Sequence, residues 1–202
     1  MNRDFYLSLN VYPVIWLVVA VAFLIFAALL VLRLIFNYTD PNPFGKIGRF
    51  SYHLKKRTDR FVYPAARFLA NYRVDTRLAP LLTLLIAFVL TYIGLQIIGN
   101  TLYVIDGITT SIAKGNVKAF IGYVLYGLLS VLIFFIYIRF ISSWFVFTRN
   151  TFLGFVMRVT NPILLPVQKL IPPIGMFDIS ALLVLLFIGL LQTLVLRLFV
   201  NS

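Results

Sequence analysis

Residues Pro13–Phe36 read PVIWLVVAVAFLIFAALLVLRLIF, an unbroken apolar run whose one charge, Arg33, lies close to its end. Crossing the hydrocarbon core of a bilayer takes roughly 20 residues of helix, so this stretch is long enough to span it. Three further runs meet the same test, at about 78–98, 119–141 and 179–200. Arg3 precedes the first run, and Ala20-Val21-Ala22 has the spacing of a cleavage site. The apolar stretch nevertheless continues to Phe36 and stops at a basic loop, which is the layout of an uncleaved span rather than a signal peptide.

Composition agrees with the bilayer as solvent. The chain is 61% hydrophobic and 12% charged, with 20 Phe and 11 Tyr, an apolar load that a water-soluble domain could not hide. The expected fold class is therefore an all-α membrane protein with four transmembrane helices. Cysteine is absent, which excludes disulfides, thiolate metal sites, Cys nucleophiles and thioether-linked haem. Glutamate is absent as well, and the acids are Asp4, Asp40, Asp59, Asp75, Asp106 and Asp178. A paired-carboxylate active site thus has few candidate members. His53, the single histidine, sits among cationic neighbours and reads as a surface residue, not a metal or haem ligand. The HExxH, GxxxxGK[ST] and GxSxG patterns are missing, and Gly45-Lys46-Ile47-Gly48 is loop punctuation too short for a phosphate loop. The expectation is a protein that is not an enzyme, with no cofactor and no metal.

Net charge is +12, yet nine of the 18 Lys and Arg fall between Lys46 and Arg77, in one connection between spans. Such clustering points to anionic lipid headgroups and to membrane orientation, and not to nucleic acid. Residues 37–77 carry nine basic side chains and residues 142–178 carry Arg149, Arg158 and Lys169. On the other side, the N-terminal tail and residues 99–118 supply Arg3, Lys114 and Lys118. The positive-inside rule then puts both long connections in the cytoplasm and both termini outside it.

Both connections are patterned. In the first, Phe44, Ile47, Phe50, Leu54 and Phe61 gather on one helical face and Lys46, Arg49, Lys56 and Arg60 on the other. An interfacial amphipathic helix is expected there, with Lys46, Arg49, Lys55, Lys56, Arg57 and Arg60 meeting lipid headgroups; the alternative is a surface helix packed on its own protein. In the second, Phe152, Phe155, Val156 and Val159 have helical spacing before Pro162, Pro166, Pro172 and Pro173, which are expected to interrupt the helix.

The two halves share a plan: an apolar helix, an Arg near its inner end, an aromatic, a proline-bearing connection, and an Asp opening the next helix. The members are Arg33, Tyr38, Pro64 and Asp75 in one half and Arg139, Trp144, Pro162 and Asp178 in the other. Each half holds an even number of spans, so the expectation is two parallel helix-loop-helix repeats, residues 1–98 and 119–202, joined by an extracytoplasmic connection at 99–118. Asp75 and Asp178 sit at helix starts and suit capping better than ion ligation. Arg33 and Arg139 suit the dipole at the ends of their helices, and pairing of each with the Asp of its own repeat is expected.

The second half resembles the YggT (YlmG) family of small membrane proteins. The residues that carry the resemblance are Arg139-Phe140-Ile141-Ser142-Ser143-Trp144, then Thr160-Asn161-Pro162, then Pro166 through Gly175 with Lys169 and Pro172, and Asp178. Where the family has paired basic residues before Ile-Pro this chain has Gln168-Lys169, and Ala181 replaces a usual proline. The first half matches weakly and lacks Ile-Pro-x-x-Gly. The resemblance implies a bacterial inner-membrane or plastid-type protein linked to membrane organisation, complex assembly, cell division or osmotic tolerance, and it brings no reaction with it.

Polar residues within the spans, Thr83, Thr91, Gln96, Ser130, Gln192 and Thr193, are neutral, which disfavours an ion-coupled carrier. Three expectations remain side by side. The first is a noncatalytic scaffold or assembly factor in a bacterial inner membrane, whose partners are anionic lipids and other membrane proteins, with homo-oligomers open. The second is an oligomeric ion or osmolyte channel. The third, suggested by plastid relatives, is an assembly factor for cofactor insertion into a membrane cytochrome.

Overall fold

A computed structural model describes residues 5–39, 45–144, 151–171 and 179–200. Those residues are almost entirely helical, with no strand among them, and form α1 (Tyr12–Thr39), α2 (Lys46–Asn71), α3 (Ala79–Ala113), α4 (Val117–Trp144), α5 (Thr151–Leu170) and α6 (Ile179–Phe199). A π-helical turn, Leu7–Val11, leads into α1, and a 3-10 turn, Thr76–Leu78, leads into α3. Four helical stretches are long and apolar enough to cross a membrane: Leu7–Thr39, Thr76–Ala113, Val117–Ser142 and Ser180–Phe199. Their outward faces carry exposed Leu24, Ile25, Phe88, Leu128, Leu186 and Phe187, surface that hydrocarbon tolerates and water does not.

The second run outgrows its expected bounds. Residues 99–113, read from sequence as part of a connection, continue α3 to 35 residues. At 1.5 Å per residue that is about 52 Å, longer than the ~30 Å core. The polar residues that end the apolar run do not end the helix, because Thr101, Thr109 and Ser111 hydrogen-bond the carbonyls of Ile97, Ile105 and Gly107 one turn back. Asp106 is 5% exposed and receives the backbone N–H groups of Leu7 and Ser8 at 3.1 and 2.6 Å and the Ser8 hydroxyl at 2.8 Å. It thereby caps the start of the N-terminal helix from a neighbouring one.

The turn between α3 and α4 is confined to Lys114, Gly115 and Asn116. Gly115 takes φ +64, so that Asn116 N–H reaches Ser111 O and Gly115 N–H reaches Ile112 O, a Schellman ending. The Asn116 side chain then accepts from Ala119 N–H at 3.0 Å and starts α4. The end of α2 uses the same ending with a costlier residue, Arg73 at φ 58.

The chain divides into two compact units, Pro13–Leu95 and Met1–Tyr12 with Gln96–Ser202. In the first, Leu30 of α1, Val62 and Ala65 of α2 and Ala79 of α3 form the core. In the second, α4, α5 and α6 pack on one another around Ile133, Ile136, Leu164, Ala181, Val184 and Ile188.

One expectation about the connections is corrected. Prolines do not interrupt α5, which runs from Thr151 to Leu170 through Pro162 and Pro166. Each proline removes one backbone donor, but both lie on the exposed face. The opposite face is held by Val156, Thr160 and Leu164, all 0% exposed. In α2 the buried stripe is Gly48, Ser51, Leu54, Thr58, Val62 and Ala65, so of the apolar face expected there only Leu54 enters the core. Ile47, Phe50 and Phe61 stay exposed, and Phe44 lies outside the described residues. Small residues win the buried stripe because they let α2 lie close against its neighbours, whereas bulky aromatics would hold it off.

Candidate functional site

Arg33, near the end of α1, is 9% exposed and fastens α2 to the span. Its Nη1 donates to the Lys55 carbonyl at 3.0 Å and to Thr58 Oγ1 at 2.6 Å, and its Nη2 donates to Asp59 Oδ1 at 2.6 Å. Thr58 is itself buried and donates to Leu54 O at 2.7 Å, which fixes its hydroxyl where the guanidinium meets it. Placing an Arg here is costly unless its donors are met; three bonds engage Nη1 and Nη2, while Nε is buried with no hydrogen-bond partner among the described residues.

The second unit repeats this set of bonds. Arg139 of α4 donates from Nη1 to Thr160 Oγ1 at 3.1 Å and Asn161 Oδ1 at 2.7 Å, and from Nη2 to Gln168 Oε1 at 3.5 Å. Thr160 Oγ1 in turn donates to Val156 O at 2.9 Å. Thr58-Asp59 and Thr160-Asn161 therefore do the same work, each fastening a connecting helix to a span.

The pairing expected between Arg33 and Asp75 is not formed. Asp75 turns its carboxylate onto its own backbone, accepting from Arg77 N–H at 2.8 Å and opening the 3-10 turn before α3, while Asp59 takes the guanidinium. Asp178, offered as the partner of Arg139, lies outside the described residues, as do Pro172 and Gly175. Trp144 ends α4, and its side chain is likewise outside them. Pro162, Pro166 and Lys169 are exposed on α5. Sequence reading missed Thr58, Asp59 and Ser8. The available signal for the first two was the recurrence of Thr followed by Asp or Asn in both connections.

Of the residues expected at lipid headgroups, Lys46, Arg49, Lys56, Arg57 and Arg60 are exposed along α2. Lys55 is set apart. It is half-buried and lines an open cleft of about 420 Å³ with Arg33, Asn37, Tyr38, Thr76 and Arg77. Asn37 Nδ2 bonds the Arg77 carbonyl at 3.2 Å and ties the end of α1 to the start of α3 at this cleft.

Within the second unit, the polar groups of the spans bond to one another. Gln192 Nε2 donates to Ser130 Oγ at 2.8 Å, and Tyr126 OH donates to Asn100 Oδ1 at 3.1 Å. His53 is exposed beside the Tyr52 ring, and among the described residues no three His, Asp or Glu side chains gather as a metal site would need.

Residues 119–199, which run from Ala119 in α4 through α5 and α6, match the family model described as CCB3/YggT. No curated protein matches the chain, and no solved structure does.

Proposed function

With residues 119–199 matching the CCB3/YggT family model, we propose that this multi-pass chain is a noncatalytic scaffold or assembly factor of a bacterial cytoplasmic membrane. Its two connecting helices would be the working surfaces. One observation carries this reading: α2 and α5 are each fastened to a span by a guanidinium on a buried Thr, which keeps a connecting helix in a fixed pose. On α2 that pose leaves Lys46, Arg49, Lys56, Arg57 and Arg60 exposed beside the outward aromatics Phe50, Tyr52, Phe61 and Tyr63. Cations flanked by aromatics suit a helix at the headgroup level, where rings sit at the boundary and cations meet phosphate. The positive-inside rule puts this face in the cytoplasm.

The test is crosslinking and capture from native membranes, comparing the native chain with a variant in which those five cations are Gln. Scaffolding predicts a defined set of membrane proteins captured with the native chain and at least severalfold depleted with the variant. Salt-dependent conductance of the purified chain in liposomes, with capture unchanged by the substitutions, would replace this reading with the channel.

A further inference from the structure

The cleft at the junction of α1, α2 and α3 is not explained by the fastening of α2. We propose that it is a binding site for a phosphoryl group, presented by the headgroup of an anionic membrane lipid. The inference rests on the reading of α2 as a helix at the headgroup level.

Three cationic residues line it, Arg33, Lys55 and Arg77, together with Tyr38 and Thr76. Neither Asp59 nor Asp75 is among the lining residues. Asp59 holds Arg33 Nη2 from a 62% exposed position, and Asp75 is engaged by the Arg77 backbone. With Arg33 paired to Asp59, Lys55 and Arg77 leave the cleft an excess of positive charge among the described residues. Arg33 adds a buried Nε–H with no protein acceptor among the described residues, in a side chain that lines the cleft. The 3-10 turn that leads into α3, through Thr76 and Arg77, and the first residue of α3, Ala79, lie on the same wall, and the positive end of that helix favours an anion there. The volume, about 420 Å³, lies in the range of small-molecule sites, and the cleft is open, as a headgroup tethered to a bilayer requires.

Comparison of the two units shows why the cleft exists. Gln168 follows Thr160 by eight residues, as Ala66 follows Thr58. Gln168 directs its Oε1 to the Arg139 guanidinium, whereas Ala66 is a wall of the cleft and has no side chain to reach Arg33. The second unit fills with a neutral amide the place that the first leaves open beside three cations.

The experiment uses the full chain purified in neutral detergent, and reads retention of dioctanoyl phosphatidylglycerol by native mass spectrometry, with dioctanoyl phosphatidylcholine and inorganic phosphate as the other probes. The native chain should hold one phosphatidylglycerol more tightly than phosphatidylcholine. Lys55→Gln with Arg77→Gln should weaken it at least about tenfold, given about 1 kcal/mol for each cation near anionic lipid. Ala66→Gln, which copies the second unit, should weaken it comparably without removing a charge. Displacement by millimolar inorganic phosphate would keep the phosphoryl site and assign it to the free anion. Equal retention by the native chain and both variants, with unchanged melting in the absence of lipid, would overturn the site. The five-Gln variant of the exposed α2 cations separates the two readings: it should keep the bound phosphatidylglycerol while losing captured partners, so either reading can fail alone.

Discussion

Arg33 and Arg139 make comparable bonds with different chemistry, and the difference ranks the importance of their partners. Asp59 is a carboxylate where Asn161 is a neutral amide, and the Asp59 side chain is 62% exposed. An ion pair so open to solvent contributes about 0–1 kcal/mol. Thr58 is 5% exposed, and its loss would leave a buried guanidinium N–H without one of its acceptors, at a cost of about 1–3 kcal/mol. Asp59→Asn should therefore melt within a few degrees of the native chain in detergent, while the near-isosteric Thr58→Val should melt distinctly lower. The reverse order would mean that charge, not the buried hydroxyl, holds α2 in place. This contact was only half legible in the sequence. Both arginines stood out as charges at the ends of apolar runs, but Asp75 and Asp178 looked like their partners because they recur at helix starts. Nothing in spacing alone shows that the Asp75 carboxylate is taken by its own backbone.

At the level of elements, the apolar runs marked all four spans, and the errors came where a helix outlasts its hydrophobicity or survives its prolines. The end of α3 is the clearest case, since Asn100, Asp106 and Ser111 look like a loop until their hydrogen bonds are seen. Its packing also depends on a glycine that no motif announces. A Cβ on Gly107 would fall within the ring of Tyr123, a residue 4% exposed that contacts the rings of Phe5 and Tyr103. Because that ring is walled in, Gly107→Ala should cost about 1–3 kcal/mol through overpacking, outweighing the ~1 kcal/mol that alanine gains in helix propensity. Gly94, on the same helix, has no atom within 4 Å of such a Cβ. Gly94→Ala should leave melting unchanged or raise it, and a similar loss for both variants would show that α3 and α4 do not approach as closely as the Gly107 contact requires.

For the whole molecule, hydropathy and charge specify passage through the membrane, and the length of α3 turns that into a sharp topological statement. Thr76–Ala113 is a continuous helical stretch of 38 residues, about 57 Å long, so its two ends cannot lie on one side of a ~30 Å hydrocarbon layer if it crosses at ordinary tilt. The basic α2 precedes one end and the Lys114–Asn116 turn follows the other. Absence of cysteine makes this directly measurable, because any thiol introduced is the only one in the chain. Arg57→Cys sits on the exposed face of α2 and Lys114→Cys sits in the exposed turn, so neither substitution disturbs a core. In intact cells stripped of their outer layers, a membrane-impermeant maleimide should label Lys114→Cys at once and Arg57→Cys only after permeabilisation. Labelling of Arg57→Cys alone would keep the crossing and invert the orientation given by the basic loop. Labelling of both from outside would mean that α3 does not cross, and the scaffold reading, which needs α2 at the cytoplasmic face, would fall with it.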